Sequence, residues 1–340
     1  TNVCLGTNTP FTDLSNGNGG TINQWNWDFN NNGTVDDTTQ NPTNGYVGAG
    51  SYVAELFVST TNGCIDSITK TVVVNPNPVA NFSATSECLN TTTQFIDSST
   101  VTTGSITTFL WDFGDGVGTS ALQSPSYLYT SSGIFNVSLT VTSDSGCLNN
   151  IIIPVTVYAN PIANFISDTA CLSFANQFTD QSTIGNAALS NWNWDFDNDG
   201  IINNITQNPT FIFSGSGLFP VNLNIVDVNG CVHDTTLDVV VSANPIAAFT
   251  FSDECFGTTT SLTNQSSDNG GTTPIDTWEW DFENNGTVDD VNQNPSNLFP
   301  IEGNHTVELL VTSVLGCKDS VTVVVDVDAI PVANFGGTNE

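Results

Sequence analysis

The sequence predicts an all-β chain of four tandem antiparallel β-sandwiches arranged as a rod. Three observations predict it. A tryptophan motif recurs about every 84 residues, at Trp27-Asp28-Phe29, Trp111-Asp112-Phe113, Trp194-Asp195-Phe196 and Trp280-Asp281-Phe282. Around each copy, short runs rich in Val, Ile, Thr and Phe alternate apolar and polar residues, the pattern of half-buried strands. Eight cysteines fall into four evenly placed pairs. A repeat this regular overrides the prior of two or three domains for a chain of 340 residues.

Each unit reads in the same order. Repeats two to four open on Pro-x-Ala-Asn-Phe, or Pro-x-Ala-Ala-Phe in the fourth copy, and reach their first cysteine six residues after the Phe. The Trp-Asp-Phe strand follows. In the first copy Trp25, Trp27 and Phe29 share one face and Asn26 and Asp28 the other, so the aromatic face is expected in the core. Next come a turn such as Gln40-Asn41-Pro42 and a long alternating run such as Gly133 to Val141. A Gly-Cys turn then leads to a closing β-branched run, Thr69 to Val74 or Val321 to Val327. No segment has the periodicity of a helix. Short strands separated by Gly, Asn and Pro turns build an antiparallel sandwich.

The boundaries expected are 1–77 for the first repeat, whose opening strand is missing, then 78–160, 161–244 and 245–330. Residues 331–340 read as the opening strand of a further repeat or as a donor strand. Linkers are nearly absent: Asn75-Pro76-Asn77-Pro78, Asn160-Pro161 and Asn244-Pro245 join one unit to the next. Proline fixes φ and narrows the range of interdomain angles, which makes the array semi-rigid. Each unit should add roughly 35–45 Å of length, from the rise of an extended strand plus end loops.

Lys70 and Lys318 are the only basic residues, against 34 acids and a net charge of −32. Phosphate binding needs Lys and Arg to displace counterions, so nucleic acid is excluded as a partner. Anionic membrane surfaces are repelled too, and no apolar stretch is long enough for a membrane span. The acids are scattered through a patterned, Thr-rich chain with 38% hydrophobic residues, unlike a disordered acidic tail. They read first as a solvated surface that keeps a long assembly from aggregating. With no initiator Met, signal peptide or basic targeting segment, the chain reads as a processed product or a slice of something longer.

The cysteine pairs are Cys4 and Cys64, Cys88 and Cys147, Cys171 and Cys231, and Cys255 and Cys317, 59 to 62 residues apart within a pair. No spacing suggests zinc. The recurrent spacing predicts one disulfide inside each repeat and an oxidising, extracellular or cell-surface location. Closing such a loop contributes about 4 kcal/mol on the chain-entropy account. Buried free thiols are the alternative.

Trp111-Asp112-Phe113-Gly114-Asp115-Gly116 resembles the signature of the PKD (polycystic kidney disease) domain. The unit start Pro78-Val79-Ala80-Asn81-Phe82 and the strand after Gly133 extend the resemblance over essentially the whole chain, in four copies. It implies immunoglobulin-like sandwiches with cell-surface, adhesive or spacer roles and no catalytic residues of their own. Arrays with Asn-Gly-Cys turns and these unit starts look most like those of secreted or surface proteins of Bacteroidota.

Three copies depart from the signature by a longer acidic loop. Asp195, Asp197 and Asp199 followed by Gly200 form the front half of a calcium loop, with oxygen ligands at alternate positions and Gly at the sharp turn. The first repeat offers Asp28, Asn30, Asn32 and Asp36, and the fourth Asp281, Glu283, Asn285 and Asp289. The competing reading is an Asx-rich turn whose first Asp bonds backbone amides. Asp-Ser/Thr sites at Ser67, Thr235, Ser320, Thr38 and Thr169 resemble those that Bacteroidota O-glycosylate on exported proteins, the alternative being polar strand starts. His233 and His305 have no counterparts in other repeats, and no arrangement of residues suggests a catalytic triad.

A structural extracellular protein is therefore expected: a surface stalk, adhesin shaft or head-to-tail filament. The alternatives are glycan- or protein-binding accessory modules of a secreted hydrolase and a calcium-dependent adhesion module. Val332, Ala333, Asn334 and Phe335 repeat the unit start after the fourth copy, and the first copy lacks one. Strand addition repairs a sandwich that lacks an edge strand. The expected partners are further copies of the chain, joined head to tail in an open polymer. Adjoining repeats of one longer chain would supply the same strand covalently.

Overall fold

The computed structural model describes residues 2–168, 170–270 and 273–337, and every regular element among them is a β-strand. The chain divides into two units, Thr1–Ala159 and Asn160–Glu340. Each unit contains two sandwiches with separate hydrophobic cores.

The second repeat shows the full pattern. One sheet runs in the order Thr119–Ser120, Ile106–Asp112, Gly133–Ser143, Leu148–Tyr158 and Glu87–Cys88. The facing sheet has the order Ser126–Leu128, Thr92–Asp97 and Phe82–Ala84. Period-two alternation decides what lies between them: in Gly133–Ser143, Val137, Leu139 and Val141 point inward and are fully buried. Trp111 lies at the centre of this core, as Trp194 and Trp280 do in theirs. Tyr129 donates its hydroxyl to the Phe113 carbonyl, so its buried polar end is satisfied.

Repeats 3 and 4 also have three-stranded second sheets, opened by Phe165–Ser167 and Phe249–Phe251. The first repeat differs. Its second sheet has only Asn8–Pro10 and Thr43–Gly45. Its main sheet, in the order Asn2–Cys4, Ile65–Asn75, Gly50–Thr60 and Ile22–Asp28, matches the four-stranded sheets of the third and fourth repeats.

The disulfides correct the expectation of one inside each repeat. Cys4 bonds Cys147 and Cys171 bonds Cys317, with Cα–Cα distances of 5.5 and 5.6 Å. Cys88 and Cys231 are also disulfide-bonded, while Cys64 and Cys255 are free and exposed. Strand pairing gives the reason. The first cysteine lies on a short strand parallel to the end of the last long strand, with Cys88 opposite Tyr158. The second cysteine, Cys147, immediately precedes the start of that same strand, Leu148–Tyr158. At about 3.3 Å per residue the two stand roughly 35 Å apart, at opposite poles of one sandwich. A disulfide spans about 4.4–6.8 Å between Cα atoms. The first cysteine of one repeat instead meets the second cysteine of the next, across the junction.

Candidate functional sites: the repeat junctions and the acidic loops

Each junction within a unit is held by the same local bonds. Leu5 N–H donates to the Asn75 carbonyl, and the Asn77 side-chain amide donates to the Leu5 carbonyl at 2.9 Å. In the second unit Leu172 N–H donates to Ser242 and Asn244 donates to the Leu172 carbonyl. The new strand is then anchored by its alanine. Ala80 N–H donates to Asn149 Oδ1, Ala163 N–H to His233 Nδ1 and Ala247 N–H to Asp319 Oδ2. All three acceptors stand two residues after the second cysteine, a position that the sequence reading missed because its residue type varies. The fourth member of that set is Asp66. It bonds its own neighbour instead, the Ser67 N–H donating to Oδ1 at 2.9 Å.

The anchored strand covers the core. Phe82, Phe165 and Phe249 are buried, and their strands pair with the segments carrying Phe95, Phe178 and Leu262. Two further backbone bonds tie Val79 to Thr100, a pairing repeated at Ile162–Thr183 and Ile246–Ser267. Among the described residues the first repeat has no such strand. Phe11, equivalent to the 1%-exposed Phe95, is only half-buried. Val58 is half-buried where Val141, Ile225 and Val311 are fully buried. At the other end of the chain, Val332 is 94% and Phe335 93% exposed, and residues 331–337 pair with no strand. Ala333 and Asn334 between them are exposed as well.

The acidic loops are built around their first aspartate. Asp195 accepts from the N–H groups of Asp199 and Gly200, at 3.2 and 2.8 Å. Asp28 accepts from Asn30, Asn32 and Gly33, and Asp281 from Glu283, Asn285 and Gly286. A second bond closes each loop: Asp36 accepts from Phe29 N–H, Asp289 from Phe282 N–H and Asn203 from Phe196 N–H. Desolvation works to raise the Asp28, Asp195 and Asp281 pKa values, but the backbone N–H donors outweigh it and hold them below 3.8. The third loop adds carboxylates. Asp195, Asp197 and Asp199 bring one oxygen each within 4.8 Å of the others. Asp197 is pushed up by desolvation and by the charges of Asp199 and Asp195. Hard oxygen donors converging in this way suit a divalent cation such as Ca²⁺. The first and fourth loops place amide side chains, Asn30, Asn32 and Asn285, where the third has acids.

Of the Asp-Ser/Thr sites, Ser67, Ser320 and Thr38 are exposed and Thr235 is half-buried. Thr169 lies outside the described residues. Asp319, in front of Ser320, has a structural duty as the Ala247 acceptor. His233 is accounted for by its junction bond, and His305 Nε2 lies 2.8 Å from the Ile301 carbonyl.

Comparison with known proteins places these features. The family described as the PKD domain matches residues 1–76, 75–157 and 242–328, more than half of the chain. The pre-pro-metalloprotease PrtV of Vibrio cholerae serotype O1 is 39% identical over 79 residues, 23% of this chain. The chain spans 8% of the length of that relative. Among solved structures, the PKD1 domain of Vibrio anguillarum Epp is 36% identical, covering 24% of this chain and 95% of that one, with a TM-score of 0.23. The PKD1 domain of the Vibrio cholerae metalloprotease PrtV has the same identity and TM-score, covering 24% and 96%. The matching modules are thus the PKD domains of longer proteins, one of them a pre-pro-metalloprotease.

Proposed function

Because this chain belongs to the PKD domain family, we propose that it is a non-enzymatic extracellular structural protein whose repeat array continues head to tail as a stalk, shaft or filament. The observation that carries the reading is twofold: the core of the first repeat is uncovered, and residues 332–335 are an exposed copy of the strand that covers its counterparts. By equivalence with the second repeat, Val332 of one copy pairs with Asn16 of the next, and Phe335 with Asp13. Ala333 N–H donates to Asp66, and Phe335 packs on Trp27. Strand addition of this kind supplies backbone bonds and buries an aromatic ring in a single step.

Sedimentation and electron microscopy of residues 1–340 under reducing conditions, beside a version ending at Ile330, test the reading. The longer chain is expected to form concentration-dependent filaments and the shorter one to stay monomeric. A monomeric longer chain at high concentration overturns it. Native material denatured under reducing conditions separates discrete copies, which run near 36 kDa, from repeats joined in one longer polypeptide.

A second reading is favoured by the third acidic loop. Asp195, Asp197 and Asp199 bind Ca²⁺, which relieves their mutual repulsion and stiffens the loop beside the Trp194 strand.

A further inference from the structure

We propose that Cys255 of one copy forms a disulfide with Cys64 of the next, turning the head-to-tail assembly into a covalent polymer. The proposal rests on the head-to-tail reading above.

The disulfides already in the chain supply the rule. The first cysteine of a repeat bonds the second cysteine of the repeat that follows, as Cys4 does with Cys147 and Cys171 with Cys317. Applied along the chain, this stagger leaves over one second cysteine, in the first repeat, and one first cysteine, in the fourth. These are Cys64 and Cys255, the two free thiols. They are of opposite kinds and therefore complementary. Cys64 is exposed where its counterparts Cys147 and Cys317 are buried to 1%. It has the exposure of a junction cysteine that has no disulfide partner.

The reach also agrees. Cys4 lies opposite Asn75, Cys171 opposite Ser242 and Cys255 opposite Asp328. Each of these partners stands five residues before the alanine that opens the following strand: Ala80, Ala247 and Ala333. At the receiving side, Cys147 and Cys317 stand two residues before the acceptors of those alanine N–H groups, Asn149 and Asp319. Cys64 stands two residues before Asp66. When Ala333 docks on Asp66 of the next copy, Cys255 and Cys64 take up the relation that Cys4 and Cys147 have. One position departs from the pattern: Ile330 replaces the junction asparagine, so the copy junction lacks that side-chain bond to the preceding loop.

The chemistry is thiol–disulfide exchange with a small-molecule disulfide as oxidant. The Cys255 thiolate attacks the small disulfide and expels one small thiol, giving a mixed disulfide. The Cys64 thiolate of the next copy then attacks the Cys255 sulfur and expels the second small thiol. Two protein thiols are oxidised, one small disulfide is reduced to two thiols, and two protons are carried off on them.

The test incubates residues 1–340 in an oxidised and reduced glutathione buffer, quenches with an alkylating agent and separates the products by non-reducing denaturing electrophoresis. A ladder in steps of one chain is expected, collapsing with reductant, with a peptide that joins Cys64 to Cys255. Cys64→Ser and Cys255→Ser should each remain single chains. Mixed, they should give one dimer and nothing longer, because each offers one half of one bond. Dimers from either variant alone would mean undirected thiol oxidation and would overturn the proposal. The double variant under the microscope separates the two readings. Filaments without a ladder in the wild type sink the disulfide alone, and absence of both sinks the disulfide together with strand donation.

Discussion

Phe82 stands edge-on to Trp111, with ring centroids 4.9 Å apart and planes at 70°. The same pair recurs as Phe165 with Trp194 at 5.1 Å and Phe249 with Trp280 at 5.0 Å. Trp27 has Phe11 and Phe29 beside it but no opening-strand phenylalanine among the described residues. Identical substitutions at these phenylalanines should therefore have different consequences. Phe82→Ala should cost the second repeat about 3–5 kcal/mol, as large aromatic truncations in cores do. Phe335→Ala should leave the melting temperature of the isolated chain unchanged and raise the concentration needed for assembly. Thermal unfolding and sedimentation read the two effects separately.

Asp319 and Asp66 provide a parallel pair. Asp319→Ala removes the acceptor of the Ala247 N–H and should destabilise the fourth repeat by about 1–3 kcal/mol, the cost of a buried donor left unpaired. Asp66→Ala should leave the isolated chain as stable as before and weaken assembly. Equal losses of stability in both variants, measured by denaturant unfolding, would contradict the equivalence.

Non-reducing peptide mapping should recover Cys4–Cys147 and Cys171–Cys317, with no bond inside a repeat. Each closes a loop of well over 100 residues, which on the chain-entropy account contributes about 5 kcal/mol. Reduction should lower the unfolding temperature of repeats on both sides of each bond.

Ca²⁺ should raise the melting temperature of the chain, because a ligand that binds only the folded state stabilises it by mass action. Asp197→Asn should abolish the shift, since that carboxylate carries the repulsion from Asp199 and Asp195 that the cation relieves. Calorimetry with and without chelator decides it; a shift that survives Asp197→Asn would place the cation elsewhere.

Acid should destabilise the first, third and fourth repeats through Asp28, Asp195 and Asp281. Their folded pKa values lie below the ordinary 3.8, so the stability they contribute is complete above that value and is lost as pH falls through the lower folded value. Unfolding midpoints should drop steeply below about pH 4. Asp281→Asn should make that drop shallower, because a neutral amide has no proton to take up.

Sequence alone determined the strands, their grouping into repeats and the burial of Trp27, Trp111, Trp194 and Trp280. These follow from period two, which puts every second side chain on one face whatever the rest of the chain does. It also singled out Asp195, Asp197 and Asp199, because their alternate spacing within one turn is a local property that folding preserves. The partners of the cysteines lay beyond its reach. Even spacing suggested Cys4 with Cys64, but spacing carries no information about which pole of a sandwich a residue occupies. Only the parallel pairing of Asn2–Cys4 against the far end of Ile65–Asn75 sets Cys4 at the junction and leaves Cys64 a strand length away. The acceptor set Asn149, His233 and Asp319 was hidden for a related reason. Any side chain with a lone pair can take the alanine N–H, so the junction requires a position in the tertiary structure rather than a residue type.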